Sequence, residues 1–222
     1  MSNLILEKVT YKYRSSGTPA VSEVSCNFEP GKMYAVVGPS GSGKSTLLSL
    51  LAGLDKPFEG SIEYDGTNLG SMDLDKYRRE NVAMIFQAFQ LFPLLTALEN
   101  VCYPMELNGV KTKDARLQAE KLLESVGITR EQMKRFPSHL SGGEQQRVAI
   151  ARSLASGARI LLADEPTGNL DVANTENIMA ILTRLVAEEG YCVIIVTHDM
   201  EVANYADIVY MMRDGALIQK GV

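Results

Sequence analysis

The stretch Gly38-Pro39-Ser40-Gly41-Ser42-Gly43-Lys44-Ser45 constrains this chain more than any other. A glycine, four residues and then Gly-Lys-Ser is the phosphate-loop pattern. Its glycines let backbone amides converge on phosphate oxygens, its lysine reaches the β and γ phosphates, and its serine hydroxyl ligates Mg²⁺. The pattern needs a strand before it and a helix after it, because the positive helix end completes the anion site. Both flanks are present: 33–37 is a short apolar strand, and 44–52 reads as a helix that Gly53 closes. A glycine-rich turn with a stray lysine is the plainer alternative, and this context disfavours it. Gly38, Ser40, Gly41, Ser42, Gly43, Lys44, Ser45 and Thr46 are therefore the candidate nucleotide contacts.

The elements around the loop agree with this. The first 37 residues read as short strands and turns: Leu4 to Val9 alternates, Ser15 to Pro19 is a turn cluster, and another β segment runs from Gly60 to Asp65. From Thr96 to Ser156 the pattern is helical. Ala115, Ala119, Leu122, Leu123 and Val126 share one helix face, with Thr112 as its cap and Gly127 as its stop. A further helix starts at Gly142 and stops at Gly157. Strands and helices then alternate again: strand 159–164, helix 173–188, strand 192–197, a short helix at 201–205, and strand 208–213. This alternation implies a mainly parallel α/β sheet, with the helical block at about 88–140 inserted into it.

Composition narrows the function classes. Of 222 residues, 45% are hydrophobic and 22% charged, which excludes a disordered chain. The 22 Lys and Arg against 27 Asp and Glu give a net charge of -5, which argues against a broad nucleic-acid footprint. The apolar runs at 82–86, 160–163 and 193–196 are strand-sized, far short of a membrane span, and the start lacks the features of a secretory signal. Cys26, Cys102 and Cys192 are widely spaced and read as reduced thiols. A soluble, intracellular protein is expected.

A second half-site lies at Ile160-Leu161-Leu162-Ala163-Asp164-Glu165, an apolar strand ending in two carboxylates. Asp164 at the strand's carboxyl end is placed to hold Mg²⁺, or else merely caps the next turn. Glu165 then orients or deprotonates the attacking water.

Leu140-Ser141-Gly142-Gly143-Glu144-Gln145-Gln146-Arg147 resembles the signature motif of the ATP-binding cassette (ABC) family. A serine and two glycines at a helix start form a second anion site, although the glycines weaken the helix. The resemblance implies a P-loop NTPase (RecA-like) core with an N-terminal antiparallel β subdomain and an inserted α-helical subdomain. It assigns 1–87 and 158–222 to the core and 88–157 to the helical subdomain with the signature. It implies ATP and Mg²⁺ as ligands and head-to-tail pairing, so that the phosphate loop of one subunit and the partner's signature close on one ATP. Ser141, Gly142, Gly143 and Asp171 would then serve the partner's nucleotide, the last from the interface loop Asn169-Leu170-Asp171. A homodimer, or a heterodimer with a related ATPase, follows.

The other family positions are matched singly. Tyr13 falls where an aromatic stacks on adenine, with Tyr11 its competitor. Gln87 resembles the glutamine that contacts Mg²⁺ and the lytic water. His198 resembles the switch histidine that binds the γ phosphate. His139 is assigned no role, Arg147 and Arg152 are read as solvated or structural, and the methionines as packing. Glu144 stands where many relatives have glutamine and is read as a subgroup mark.

The signature, together with Ala163-Asp164-Glu165-Pro166-Thr167-Gly168-Asn169-Leu170-Asp171, looks most like the macrolide-efflux, lipoprotein-release and cell-division branch. That implies an ATPase driving a separate membrane permease, at the cytoplasmic face of the membrane, with room for a periplasmic or extracytoplasmic adaptor. The permease would touch the helical subdomain near 87–100, where Phe89, Leu91, Phe92, Leu94 and Leu95 form an apolar set that otherwise packs the insertion onto the core. An uptake ATPase is the alternative. A soluble cassette protein acting on nucleic acid or ribosomes is disfavoured by the short stretch between Gln87 and Ser141 and by the single cassette.

Overall fold

The computed structural model describes residues 3–14 and 17–219. Ser15 and Ser16 of the expected turn cluster lie outside the described residues. A four-stranded antiparallel sheet runs in the order β2 (Val21–Phe28), β1 (Leu4–Tyr11), β4 (Glu59–Tyr64) and β5 (Thr67–Asn68). A six-stranded sheet runs β10 (Ala216–Gln219), β9 (Ile208–Arg213), β3 (Met33–Val37), β8 (Cys192–Thr197), β7 (Ile160–Asp164) and β6 (Val82–Phe86). All its neighbours pair in parallel except the terminal hairpin β9–β10.

The parallel strands are near-continuous apolar runs because both of their faces are covered. In β7, Ile160 and Leu162 join the core beneath the antiparallel sheet, while Leu161 and Ala163 join the core beneath the helices. In β8, Cys192, Ile194 and Val196 take the first side, Val193 and Ile195 the second. The three cysteines are free, and burial pushes their thiols up, to about 12 for Cys26 and Cys192 and about 11 for Cys102. They behave as small apolar groups there.

The helices are α1 (Lys44–Leu51), α2 (Leu74–Glu80), α3 (Ala97–Leu107), α4 (Thr112–Ser125), α5 (Gly142–Ala155), α6 (Val172–Glu189) and the single turn α7 (Met200–Ala203). Helices α3, α4 and α5 contribute Val101, Ala119, Leu123 and Val148 to the same core that holds Leu161 and Val193. The inserted helices thus share the sheet's core and build none of their own. Among the described residues, no helix is long and apolar enough to cross a membrane.

Two local expectations are corrected. Thr112 is the first helical residue of α4, and the capping position is Lys111, which supplies no side-chain cap. The short helix near 201–205 is Met200–Ala203, because Asp199 caps it one residue earlier by accepting from the Glu201 amide.

Candidate functional site

Register sets the site. Val36 pairs with Val196, Val196 with Asp164, and Asp164 with Phe86, so four parallel strands end level with one another. The residues just past those ends, Gly38, His198, Glu165 and Gln87, therefore emerge along one rim, the carboxyl edge where open α/β sheets bind ligands. Gln87, Glu165 and His198 line a cleft of about 810 Å³ that also takes in Tyr13, Lys44, Ser45, Thr46 and Asp164.

The cleft suits a triphosphate. Among the described residues, five of the seven α-helices are capped by a side chain at their N-terminus, but α1 has Gly43 at its cap position, with no side-chain cap and no acid in its first turn. Its free amides face the cleft unneutralised. Gly43 is obligatory: its φ is 106°, and a Cβ there would stand 2.1 Å from the Ala20 carbonyl. Lys44, 9% exposed, donates to the carbonyls of Gly38 (2.7 Å) and Pro39 (2.9 Å), which leaves its third N–H free. The Ser42 hydroxyl is buried without a hydrogen-bond partner.

A hydroxyl and one carboxylate stand where Mg²⁺ would sit. Ser45 Oγ lies 3.4 Å from Asp164 Oδ1. Mg²⁺ keeps several waters and needs few protein ligands, so this pair fits it. Burial raises the Asp164 carboxyl above its ordinary range; the charge of Glu165 adds to this, while Ser45 and Lys44 oppose it.

Glu165 is held by three donors. Thr197 Oγ1 donates to its Oε2 (3.1 Å), and the His198 amide (3.1 Å) and Nδ1 (2.8 Å) meet its Oε1. Its backbone is left-handed, φ 47°, pinned by the hydrogen bond from its amide to the Val196 carbonyl. A non-glycine residue there costs about 1–3 kcal/mol, and such outliers cluster at functional sites. Gln87 faces the loop at 169–171: its carboxamide lies 3.4 Å from Asn169 Oδ1, and its backbone carbonyl accepts from Asn169 Nδ2 at 3.1 Å.

Tyr13 lines the cleft and shares a 2.9 Å hydrogen bond with Thr46 Oγ1. Tyr11 meets it edge-on with centroids 5.0 Å apart, but its own hydroxyl turns away to Asp55. Ser141, Gly142, Gly143 and Asp171 do not line this cleft. Ser141 caps α5, and its hydroxyl accepts from the Glu144 amide (3.3 Å) within its own helix. Gly143 packs so close to Asn174 that a Cβ would stand 2.0 Å from its Oδ1, so one glycine of the pair has a packing reason of its own. Asp171 caps α6 by accepting from the Asn174 amide. The apolar set divides: Leu94 and Phe92 are exposed, while Leu91 packs on the helical core.

Three residues outside the expected site set support it. Glu144 accepts from the Ser141 amide (2.6 Å) and closes a capping box, legible as Ser-x-x-Glu. Thr197 is the second anchor of Glu165. Arg152 donates to the carbonyls of Gln90 (2.6 Å) and Phe89 (3.2 Å), two left-handed residues just past Gln87, and so ties α5 to that loop.

The family profile described as ABC transporter matches residues 21–168. The chain is 40% identical over 220 residues to the uncharacterized ABC transporter ATP-binding protein YclH of Bacillus subtilis, spanning 99% of this chain and 97% of that protein. It is 44% identical over 199 residues to the macrolide export ATP-binding/permease protein MacB of Shigella flexneri, covering 88% of this chain and 30% of MacB. Among solved structures, the ATP-binding cassette MJ0796 from Methanocaldococcus jannaschii, a dimer in a post-hydrolysis state bound to ADP and Pi, superposes with a TM-score of 0.89 at 38% identity. That match covers 98% of this chain and 97% of the other.

Proposed function

The chain belongs to the ABC transporter family, and from that premise we propose that it is the ATP-hydrolysing subunit that drives a membrane permease for export or mechanotransmission. It binds and hydrolyses ATP as a dimer. The similarity to MacB, which carries its own permease, supports the export branch over uptake. The proposal places the protein at the cytoplasmic face of the membrane, held there by its permease, with 1–87 and 158–222 as core and 88–157 as the arm that meets the permease near 87–100.

Each residue has a task in this reading. The α1 amides and Lys44 hold the β and γ phosphates, and Tyr13 takes the adenine. Mg²⁺ would be held by Ser45, Asp164 and Gln87 and would neutralise phosphate charge. Glu165, aimed by Thr197 and His198, receives the proton of the attacking water. His198 spends one ring nitrogen on Glu165 and offers the other to the γ phosphate. Ser141, Gly142, Gly143 and Asp171 face the nucleotide of the second subunit.

The observation that carries the dimer reading is that the cleft gathers Lys44, Ser45, Asp164, Glu165 and His198 while the signature lies outside it. Glu165→Gln should bind ATP normally, hydrolyse it roughly 10²–10⁴-fold more slowly and accumulate as a dimer. Size-exclusion chromatography with Mg·ATP checks this, and a variant that stays monomeric there refutes it.

A further inference from the structure

Helix α5 buries a long polar side chain. Gln146 is fully buried, in a helix whose other buried residues include Val148, Ile150, Ala151 and Leu154. Its Nε2 donates to the Pro166 carbonyl at 2.6 Å, while its Oε1 is buried without a hydrogen-bond partner. An orphaned buried acceptor destabilises a fold, and leucine or methionine would fill similar space without one. What offsets that loss is the bond to the peptide beside Glu165. We infer that Gln146 is a positioning residue for hydrolysis: by holding the Pro166 carbonyl, it keeps the Glu165 carboxylate aimed at the attacking water. This rests on the reading of Glu165 as the group that receives the water's proton.

Glu165 needs such a hold. The ring of a proline drives the residue before it toward extended backbone, yet Glu165 is left-handed at φ 47°. A conformation of that kind persists only where its surroundings over-determine it. On the amino side, the Glu165 amide is tied to the Val196 carbonyl of β8 at 3.0 Å. On the carboxyl side, Pro166 has no N–H to give. The Gly168 amide donates to the Glu165 carbonyl at 3.1 Å, but it belongs to the same turn and moves with it. Among the described residues no backbone amide reaches the Pro166 carbonyl, so the Gln146 bond is the first tie between the chain leaving Glu165 and another element.

That element is itself well anchored. Arg152 of α5 holds the carbonyls of Phe89 and Gln90, and Ser153 reaches the Met84 carbonyl of β6 at 3.3 Å. Because α5 starts from the Ser141 cap, the aim of Glu165 is tied to the place of the signature helix.

Single-turnover hydrolysis of Mg·ATP by the full-length chain tests this, with ATP affinity from calorimetry and folding from thermal melting. Gln146→Met keeps the volume and removes the donor. It should hydrolyse bound ATP about 10- to 100-fold more slowly, the scale on which misplacing a catalytic group is felt, with ATP affinity unchanged because the phosphate loop is untouched. Gln146→Leu should behave alike. Added to Glu165→Gln, Gln146→Met should slow hydrolysis no further, since it acts only through that carboxylate. An unchanged rate in Gln146→Met, or losses that multiply in the double variant, would overturn the inference. So would a fall in melting temperature and ATP affinity together in both apolar variants, which would make Gln146 a packing residue. Normal hydrolysis by Glu165→Gln alone is a different result: it removes the reading of Glu165 itself, and the role of Gln146 goes with it.

Discussion

Asp164 shows how a site residue can oppose the fold that carries it. Burial raises its carboxyl, so the folded chain favours the protonated form. A carboxyl with a raised folded pKa contributes stability below its unfolded value of about 3.9 and loses it as pH rises through the folded value. At neutral pH the ionised group is therefore a cost to the nucleotide-free protein. Asp164→Asn should raise the melting temperature at pH 7 without nucleotide, with the gain shrinking as pH falls into the carboxylate range. The same change should weaken Mg²⁺-dependent ATP binding; thermal scans from pH 4 to 8 with and without Mg·ATP would reveal both effects. Lys44 poses the opposite case. Its ammonium is already ordered by two carbonyls of its own loop, so Lys44→Ala should lose ATP affinity by more than about tenfold, measurable by calorimetry.

Among the elements, α5 is the one whose start does two things. The Ser141–Glu144 capping box fixes the helix end that the dimer reading turns toward a second subunit. Burial pushes the Glu144 carboxyl up, but hydrogen bonds from Ser141 and Gln132 outweigh it and hold the group below its usual range. Its contribution is therefore present above the unfolded value of about 4.3 and fades as pH falls below it. Glutamine closes the same box, so Glu144→Gln should leave the melting temperature nearly unchanged, whereas Glu144→Ala should lower it by about 2–4 °C, the loss of about 1 kcal/mol of capping. Equal losses in the two variants would assign the residue to charge and not to capping. Much of this was legible beforehand. The phosphate loop, the strand ending in Asp164–Glu165 and the α5 boundaries follow from glycine placement and apolar runs, which are local signals. The Arg152 bridge to Phe89 and Gln90 joins positions far apart in sequence and leaves no local mark. The strand register that levels Gly38, Glu165 and His198 is likewise a product of pairing between distant segments.

For the whole molecule, shared sites predict rescue by mixing. Lys44→Ala spoils the loop side of both sites in its homodimer, and Ser141→Arg spoils the signature side. In a mixed dimer both lesions fall on one site and the other is intact. Mixing equal amounts of two inactive proteins should restore about a quarter of wild-type ATPase, since half the dimers are mixed and each has one whole site. Activity no greater than the sum of the parents would mean that each nucleotide is served by one chain. The level strand ends have a further consequence. Lysine, acids, histidine and glutamine hang from a single seam of hydrogen-bonded backbone, so sliding any one strand by a residue would turn its side chains to the opposite face. Damage to the sheet should then never produce a half-working catalyst: the chemistry vanishes all at once, along with the fold that aligns it.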